Sequence, residues 1–317
     1  MSSSSLQMYK AGDEGAIRSL FRTTYGRDMD DDWWQWRFKD NASGESIIQL
    51  AWDGHILASH YAITQAMLSV DGVDVRSGLD VTTMTHPDYR GRGLFRALAR
   101  AAFERSAELG IATVWGFPNR NSHRGYVQDL SWLDIWEIPT FRWRLPESLA
   151  LPTPSCAMAE VDSFDERFDA LWEDVKLSHY VMVRRDHRYL TWRYTANPME
   201  QYRILISQDR SSLLGYAVFK RYNNELQVVD LLTKDDVEIG RELVLEVARI
   251  ARQESLDAVS LWLNVTNPLH RLLERLGFEN DSPITYFAGL ILRPDVLDER
   301  VYDYRNWHLT MGDSDVY

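Results

Sequence analysis

Arg90-Gly91-Arg92-Gly93 lies between a strand-forming run and a helix-forming one, and that combination builds a site for anions. Glycines let successive backbone N–H groups converge on one concavity. The first turn of a helix adds partial positive charge, and arginines supply full charge in a fork that suits phosphate oxygens. The spacing excludes a dinucleotide fingerprint, which needs a third glycine, and a Walker loop, which needs Gly-Lys-Ser/Thr. The ligand expected at this loop carries phosphates.

The flanking residues must position that loop. Val81–Thr85 is rich in β-formers, and His86-Pro87 ends the strand because proline has no N–H for a ladder. After the loop, Leu94, Leu98, Ala102 and Leu109 fall on one helical face, with Arg96, Arg100, Glu104 and Glu108 on the other; Gly110 stops the helix. In this register the segment resembles the pyrophosphate loop of the GCN5-related N-acetyltransferases (GNAT), Arg/Gln-x-x-Gly-x-Gly/Ala. Arg90 and Gly93 occupy its first two defined positions, and Phe95 stands where glycine or alanine is usual. The resemblance implies an acyl-CoA co-substrate, most simply acetyl-CoA, with its pyrophosphate on Arg90, Gly91, Arg92, Gly93, Leu94 and Phe95. It also implies a mixed α/β sheet whose central strands splay for the pantetheine arm, and amides near Thr83, Met84 and Thr85 that hold the acyl carbonyl.

Bulk properties narrow the class. The 317 residues, 45% hydrophobic with 12 Trp, suit two packed domains. A net charge of −12 argues against nucleic acid or an acidic membrane as partner and favours an amine-bearing substrate. Cys156 is the only cysteine, so no intramolecular disulfide or thiolate metal cluster forms. The eight histidines show no metal-ligand spacing, His60, His86 and His123 stand isolated, and no metal is expected. No secretory signal and no apolar run of roughly 20 residues is visible, so the expected location is the cytoplasm.

The chain repeats itself. Trp36-Arg37-Phe38 with Asn41 matches Trp192-Arg193-Tyr194 with Asn197, each shifted by 156. Leu79-Asp80-Val81 resembles Val229-Asp230-Leu231, Asn119 resembles Asn264, and Leu130-Ser131-Trp132 resembles Leu276-Gly277-Phe278, all in the same order. With a Pro-rich stretch between Leu145 and Phe164, this predicts two GNAT-like domains in tandem, 1–147 and 148–317. Where the first half has its Arg/Gly loop the second has Asp235, Asp236 and Glu238, which would repel phosphates. We expect a degenerate second half that supports the first and walls its substrate cleft.

Acyl transfer from a thioester to an amine requires a neutral amine, a polarised carbonyl and a protonated leaving thiolate. Asp80, at the start of the splayed strand, is the expected base; the alternative is a structural carboxylate, since Asp230 repeats it. In GNAT proteins Asn-x-x-Ala-x-x-x-Tyr follows the second splayed strand. Asn119, Ser122 and Tyr126 sit at those spacings, which implies Tyr126 as proton donor, with Asn119 and Ser122 at the pantetheine. The tail 306–317 carries Trp307, Leu309, Met311 and Tyr317, too apolar for a disordered end. Its carboxylate at Tyr317 is a third candidate for proton transfer, by resemblance to tandem GNAT enzymes. Trp36 reads as core because Trp192 repeats it, whereas Trp33 and Trp34 stay open as an aromatic cage. The expected function is direct acyl transfer to a primary amine of a small molecule, amino sugars included. The alternatives are a Fem-like aminoacyltransferase and a non-catalytic acyl-CoA sensor or scaffold.

Overall fold

The computed structural model describes residues 4–146, 151–210, 212–234 and 236–317. Part of the predicted linker and Asp235 therefore lie outside the described residues. The chain forms two compact units, and neither is one continuous half. The first holds 1–67, 75–135 and 286–302, and the second holds 68–74, 136–285 and 303–317.

The first unit contains β1 (Ser5–Met8), α1 (Glu14–Tyr25), α2 (Asp31–Trp34), β2 (Ile47–Asp53), most of β3 (Ile56–Val70) and of β4 (Val73–Thr85), α3 (Leu94–Glu108), β5 (Thr113–Gly116) and α4 (His123–Leu130). In α1 the buried side chains Ile17, Leu20 and Phe21 recur at helical spacing, and Gly26 ends it at φ +69°. Asp13 precedes this helix, but its side chain accepts from the Lys10 N–H and caps nothing. The core lies between the sheet and α3, where Leu98, Ala99 and Ala102 pack with Tyr61, Ile63, Val114 and Trp132.

The second unit contains β7 (Ala157–Val161), α5 (Glu166–Val175), β8 (Val181–Val183), α6 (His187–Leu190), β9 (Arg203–Asp209), β10 (Ser212–Tyr222), β11 (Glu225–Thr233), α7 (Val237–Gln253), β12 (Ala258–Leu261), α8 (Pro268–Leu276) and β14 (Trp307–His308). The strands β6 (Leu133–Arg144) and β13 (Glu279–Ile291) each give residues to both units. Strand order in the first unit is β1-β2-β3-β4-β5-β13, and in the second it is β7-β9-β10-β11-β12-β6. The two orders correspond position by position: the fourth and fifth strands are parallel in each, and the sixth runs antiparallel to the fifth. Each sixth strand comes from the opposite half of the sequence.

The internal repeat has a structural counterpart. Both Trp-Arg-aromatic triplets sit in a π-helical turn, Gln35–Lys39 and Thr191–Thr195, that continues a four-residue helix. Asp30 and Asp186 cap those helices with their side chains. Trp36, Arg37, Trp192 and Arg193 are all buried.

Gly78, on β4, shows how tightly the first sheet is packed. A Cβ there would collide with the Ile63 side chain, which is fully buried. We predict that Gly78→Ala costs roughly 1–3 kcal/mol by overpacking, read as a lower urea midpoint with an unchanged denaturant slope.

Candidate active site

The site begins where two parallel strands part. The β4–β5 ladder runs Ser77↔Thr113, Gly78↔Val114 and Leu79↔Trp115 and ends there. Gly116 follows, so close to β4 that an added Cβ would stand 3.3 Å from the Asp80 Cβ and carbonyl oxygen. Beyond this point β4 runs on beside β3 to Thr85, and side chains also bind its carbonyls. Thr82 adopts φ +53° inside the strand, a left-handed conformation rare for a β-branched residue. Its carbonyl accepts from His60 Nδ1 at 2.9 Å, the Thr83 carbonyl accepts from Tyr25 Oη at 3.0 Å, and the Met84 carbonyl accepts from Ser59 Oγ at 2.7 Å.

Asp80 and Tyr126 meet at this divergence. The Tyr126 hydroxyl donates to Asp80 Oδ1 at 2.7 Å, and Thr83 Oγ1 donates to the same oxygen at 3.2 Å. Asp80 is 7% exposed and Tyr126 is 5% exposed. The ring of Tyr126 packs against Phe95 and Trp132 at 5.2 and 4.6 Å. Burial, and then the Asp80 charge, push the neighbouring Tyr61 hydroxyl well above the usual tyrosine range, so Tyr61 stays protonated. Phe95 is accounted for by this packing: its ring also reaches Tyr61 at 6.0 Å and closes on Gly125 of α4. The side chain fills space between α3 and α4.

The Arg/Gly loop opens α3 as expected. Gly91 and Gly93 stand at φ +74° and +76°, conformations that glycine adopts without strain. A cavity of about 430 Å³ lies against it, lined by Thr85, Tyr89, Arg90, Gly91, Gly93, Leu94, Phe95, Arg96 and Asp129. The two arginines of the loop differ. Arg90 lines the cavity, whereas Arg92 lies back over the Tyr89 ring at 4.5 Å and donates to the Asp88 carbonyl at 2.7 Å. Arg96, assigned to the outward face by periodicity, is the second cavity arginine.

Other candidates have structural partners. Asn119 Oδ1 accepts the N–H groups of Asn121 and Ser122, and Ser122 Oγ bonds back to the Asn119 backbone, building the turn into α4. Asn264 makes the same kind of turn with Thr266 in the second unit. Tyr317 belongs to the second unit, where a terminal oxygen accepts from Arg193 and the ring meets Trp262 edge-on. His60 bonds Thr82, and His123 bonds Asp134 at 2.6 Å and stacks on Tyr286 at 4.2 Å. Trp33 and Trp34 pack on Phe38 as core neighbours.

At the position corresponding to Asp80, Asp230 instead pairs with Arg185 at 3.0 Å and accepts from Tyr194 and Tyr216. At the start of α7, Asp236 takes the Glu238 N–H with its own side chain, so a carboxylate sits where the first unit has its arginine loop.

Residues 6–132 match the sequence model of the acetyltransferase (GNAT) domain family. No curated protein sequence matches the chain significantly. Among solved structures, a GCN5-related N-acetyltransferase from Anabaena variabilis is similar at a TM-score of 0.71 and 15% identity, over 92% of this chain and 73% of that one. A tandem GNAT protein of the clavulanic acid biosynthesis pathway is similar at 0.60 and 13%, over 92% and 99%. Saccharomyces cerevisiae N-myristoyltransferase with bound myristoyl-CoA is similar at 0.61 and 12%, over 92% and 79%.

The asymmetry of the arginines is testable by calorimetry with coenzyme A. Arg90→Ala should weaken binding at least tenfold, about 1.4 kcal/mol, and Arg92→Ala by less than threefold. Equal losses would show that Arg92 leaves Tyr89 to bind the ligand.

Proposed function

With residues 6–132 a GNAT domain in a chain of tandem GNAT fold, we propose that the protein is an acyl-CoA-dependent N-acyltransferase. It transfers the acyl group, most simply acetyl, directly to a primary amine of a small molecule, with amino sugars among the candidate acceptors. The observation that carries this reading is the pairing of an arginine-lined cavity at the start of α3 with strands that separate at Asp80. Arg90 and Arg96, with the amides of Gly91, Gly93 and Leu94, take the pyrophosphate. The thioester lies along the unpaired edge of β4, and amides from Thr83 to Thr85 polarise its carbonyl.

In the proposed reaction the amine nitrogen attacks the thioester carbon; the N–C bond forms as the C–S bond breaks. Asp80 accepts the proton lost by nitrogen, and Tyr126 gives its own proton to the leaving sulfur. The 2.7 Å bond between them lets the proton on Asp80 replace the one Tyr126 lost. Asn119 and Ser122 position the pantetheine entrance through the turn they form. The Tyr317 carboxylate is a further candidate in proton transfer. Removing residues 315–317 spares the buried Asp313, and full activity in the truncated protein would exclude that role.

The second unit, taken as domain 148–317 apart from its exchanged strand, supports the first and binds no CoA, because Asp236 occupies the α7 start. Calorimetry should give one acetyl-CoA per chain, and a stoichiometry near two would refute the asymmetry. Thiol release from acetyl-CoA across a panel of amines and amino sugars tests the reaction. Once an acceptor is found, Asp80→Asn and Tyr126→Phe should each lower kcat by roughly 10²-fold or more, with acetyl-CoA affinity within threefold. Unchanged kcat in both variants would remove the dyad from the mechanism.

A further inference from the structure

Six non-glycine residues among those described have positive φ: Asp71, Thr82, Ser131, Arg210, Asn223 and Ser255. Five occupy turns or the residue after a helix, and Thr82 alone lies inside a strand. The conformation is disfavoured for a β-branched side chain, so the surroundings must impose it. The corresponding strand of the second unit, β11, has no residue of positive φ. The kink is thus confined to the unit that carries the arginine loop.

What imposes it is visible. His60 on β3 is 0% exposed, and its Nδ1 lies 2.9 Å from the Thr82 carbonyl oxygen. A carbonyl oxygen only accepts, so Nδ1 carries the hydrogen. The ring lies nearly perpendicular to Phe38, with the centroids 6.2 Å apart. Burial holds the imidazole down to about 4, so it stays neutral and keeps donating from Nδ1 at working pH. A buried imidazole is costly unless it is bonded, and an apolar side chain would fill this space in the core without that cost. The polar group is there for the bond it makes.

We propose that His60 is a positioning residue of the acyl-transfer site: its Nδ1–H holds the Thr82 carbonyl, fixes the left-handed kink in β4, and so sets the direction of the Thr83 and Met84 amides that follow. The choice of turnover as an assay rests on the acyltransferase reading, while the clamp itself does not. Tyr25 and Ser59 hold the next two carbonyls, so three successive peptide planes are fixed from outside the strand. His60 holds the one that departs from β geometry.

The test compares His60→Leu, His60→Asn and His60→Gln. Asparagine places its amide N–H near the Nδ1 position, glutamine reaches past it, and leucine offers no donor. Hydrogen exchange across residues 79–85 should quicken at least tenfold in the leucine and glutamine variants and stay near wild type in the asparagine variant. With an active acceptor, kcat should fall roughly 10²-fold or more for leucine and glutamine, the range for loss of one oxyanion donor. Asparagine should stay within fivefold, and acetyl-CoA affinity should stay within threefold in all three. Wild-type exchange in the leucine variant overturns the clamp. Faster exchange with unchanged kcat overturns its role in transfer, and asparagine behaving like leucine overturns the hydrogen bond as cause. If leucine does not fold, the asparagine–glutamine comparison decides the same point. Absence of turnover in the wild-type protein would defeat the acyltransferase reading, and the exchange data would still decide whether His60 holds the kink.

Discussion

The structure depends on one constraint: two parallel strands that pair through Leu79 and Trp115 cannot continue to pair beyond them. Gly116 and Asp80 are already at the limit of approach, and Thr82 then puts a left-handed residue into β4 on the stretch past its last pair with β5. Backbone groups that leave a ladder must be satisfied elsewhere. His60, Tyr25 and Ser59 take up the carbonyls of residues 82 to 84 in turn. A sheet edge in the middle of a unit is the result, with Asp80 and Tyr126 at its base and the α3 loop beyond its end.

The second unit has the same strand order and resolves the same place differently. Its aspartate, Asp230, is neutralised by Arg185, which also binds Asp313 at 2.8 Å, and all three are buried. Burial pushes the Asp313 carboxyl upward, and the nearby Asp230 charge adds to that against the pull of Arg185. Losing one partner from such a group is strongly destabilising, so the network fastens the chain end within its own unit. In the first unit the corresponding carboxylate receives hydroxyls, which are weaker partners and can exchange protons. One unit ties its aspartate into a buried ion pair, and in the other the tyrosine and threonine hydroxyls donate to it.

Much of this was legible in the sequence because it is local. The β4-loop-α3 segment declares itself through β-branched residues, His-Pro, two glycines and an amphipathic stripe, each acting over a few residues. The repeat was legible because Trp36 and Trp192 are both buried in corresponding π-helical turns. What was not legible depends on distance along the chain. Nothing near His60 indicates that its partner is Thr82, and a positive φ at threonine has no sequence signature. Arg96 keeps the solvent-facing position that periodicity gives it, and its place in the cavity wall is set by the loop folded beside it. The exchange of β6 and β13 leaves no trace in composition, since a last strand reads the same in either sheet. Asn119 builds the turn into α4 just as Asn264 builds one in the second unit, so spacing alone could not assign its role.

The central claim is that the first unit alone presents a phosphate-binding helix start beside an opened strand. Backbone amide resonances followed during titration with coenzyme A test it most directly. The account predicts large shifts at Gly91, Gly93 and Leu94, with Val237 to Gly240 at the α7 start unmoved. Shifts at the α7 start, or none in the Arg90–Leu94 segment at saturating coenzyme A, would contradict it.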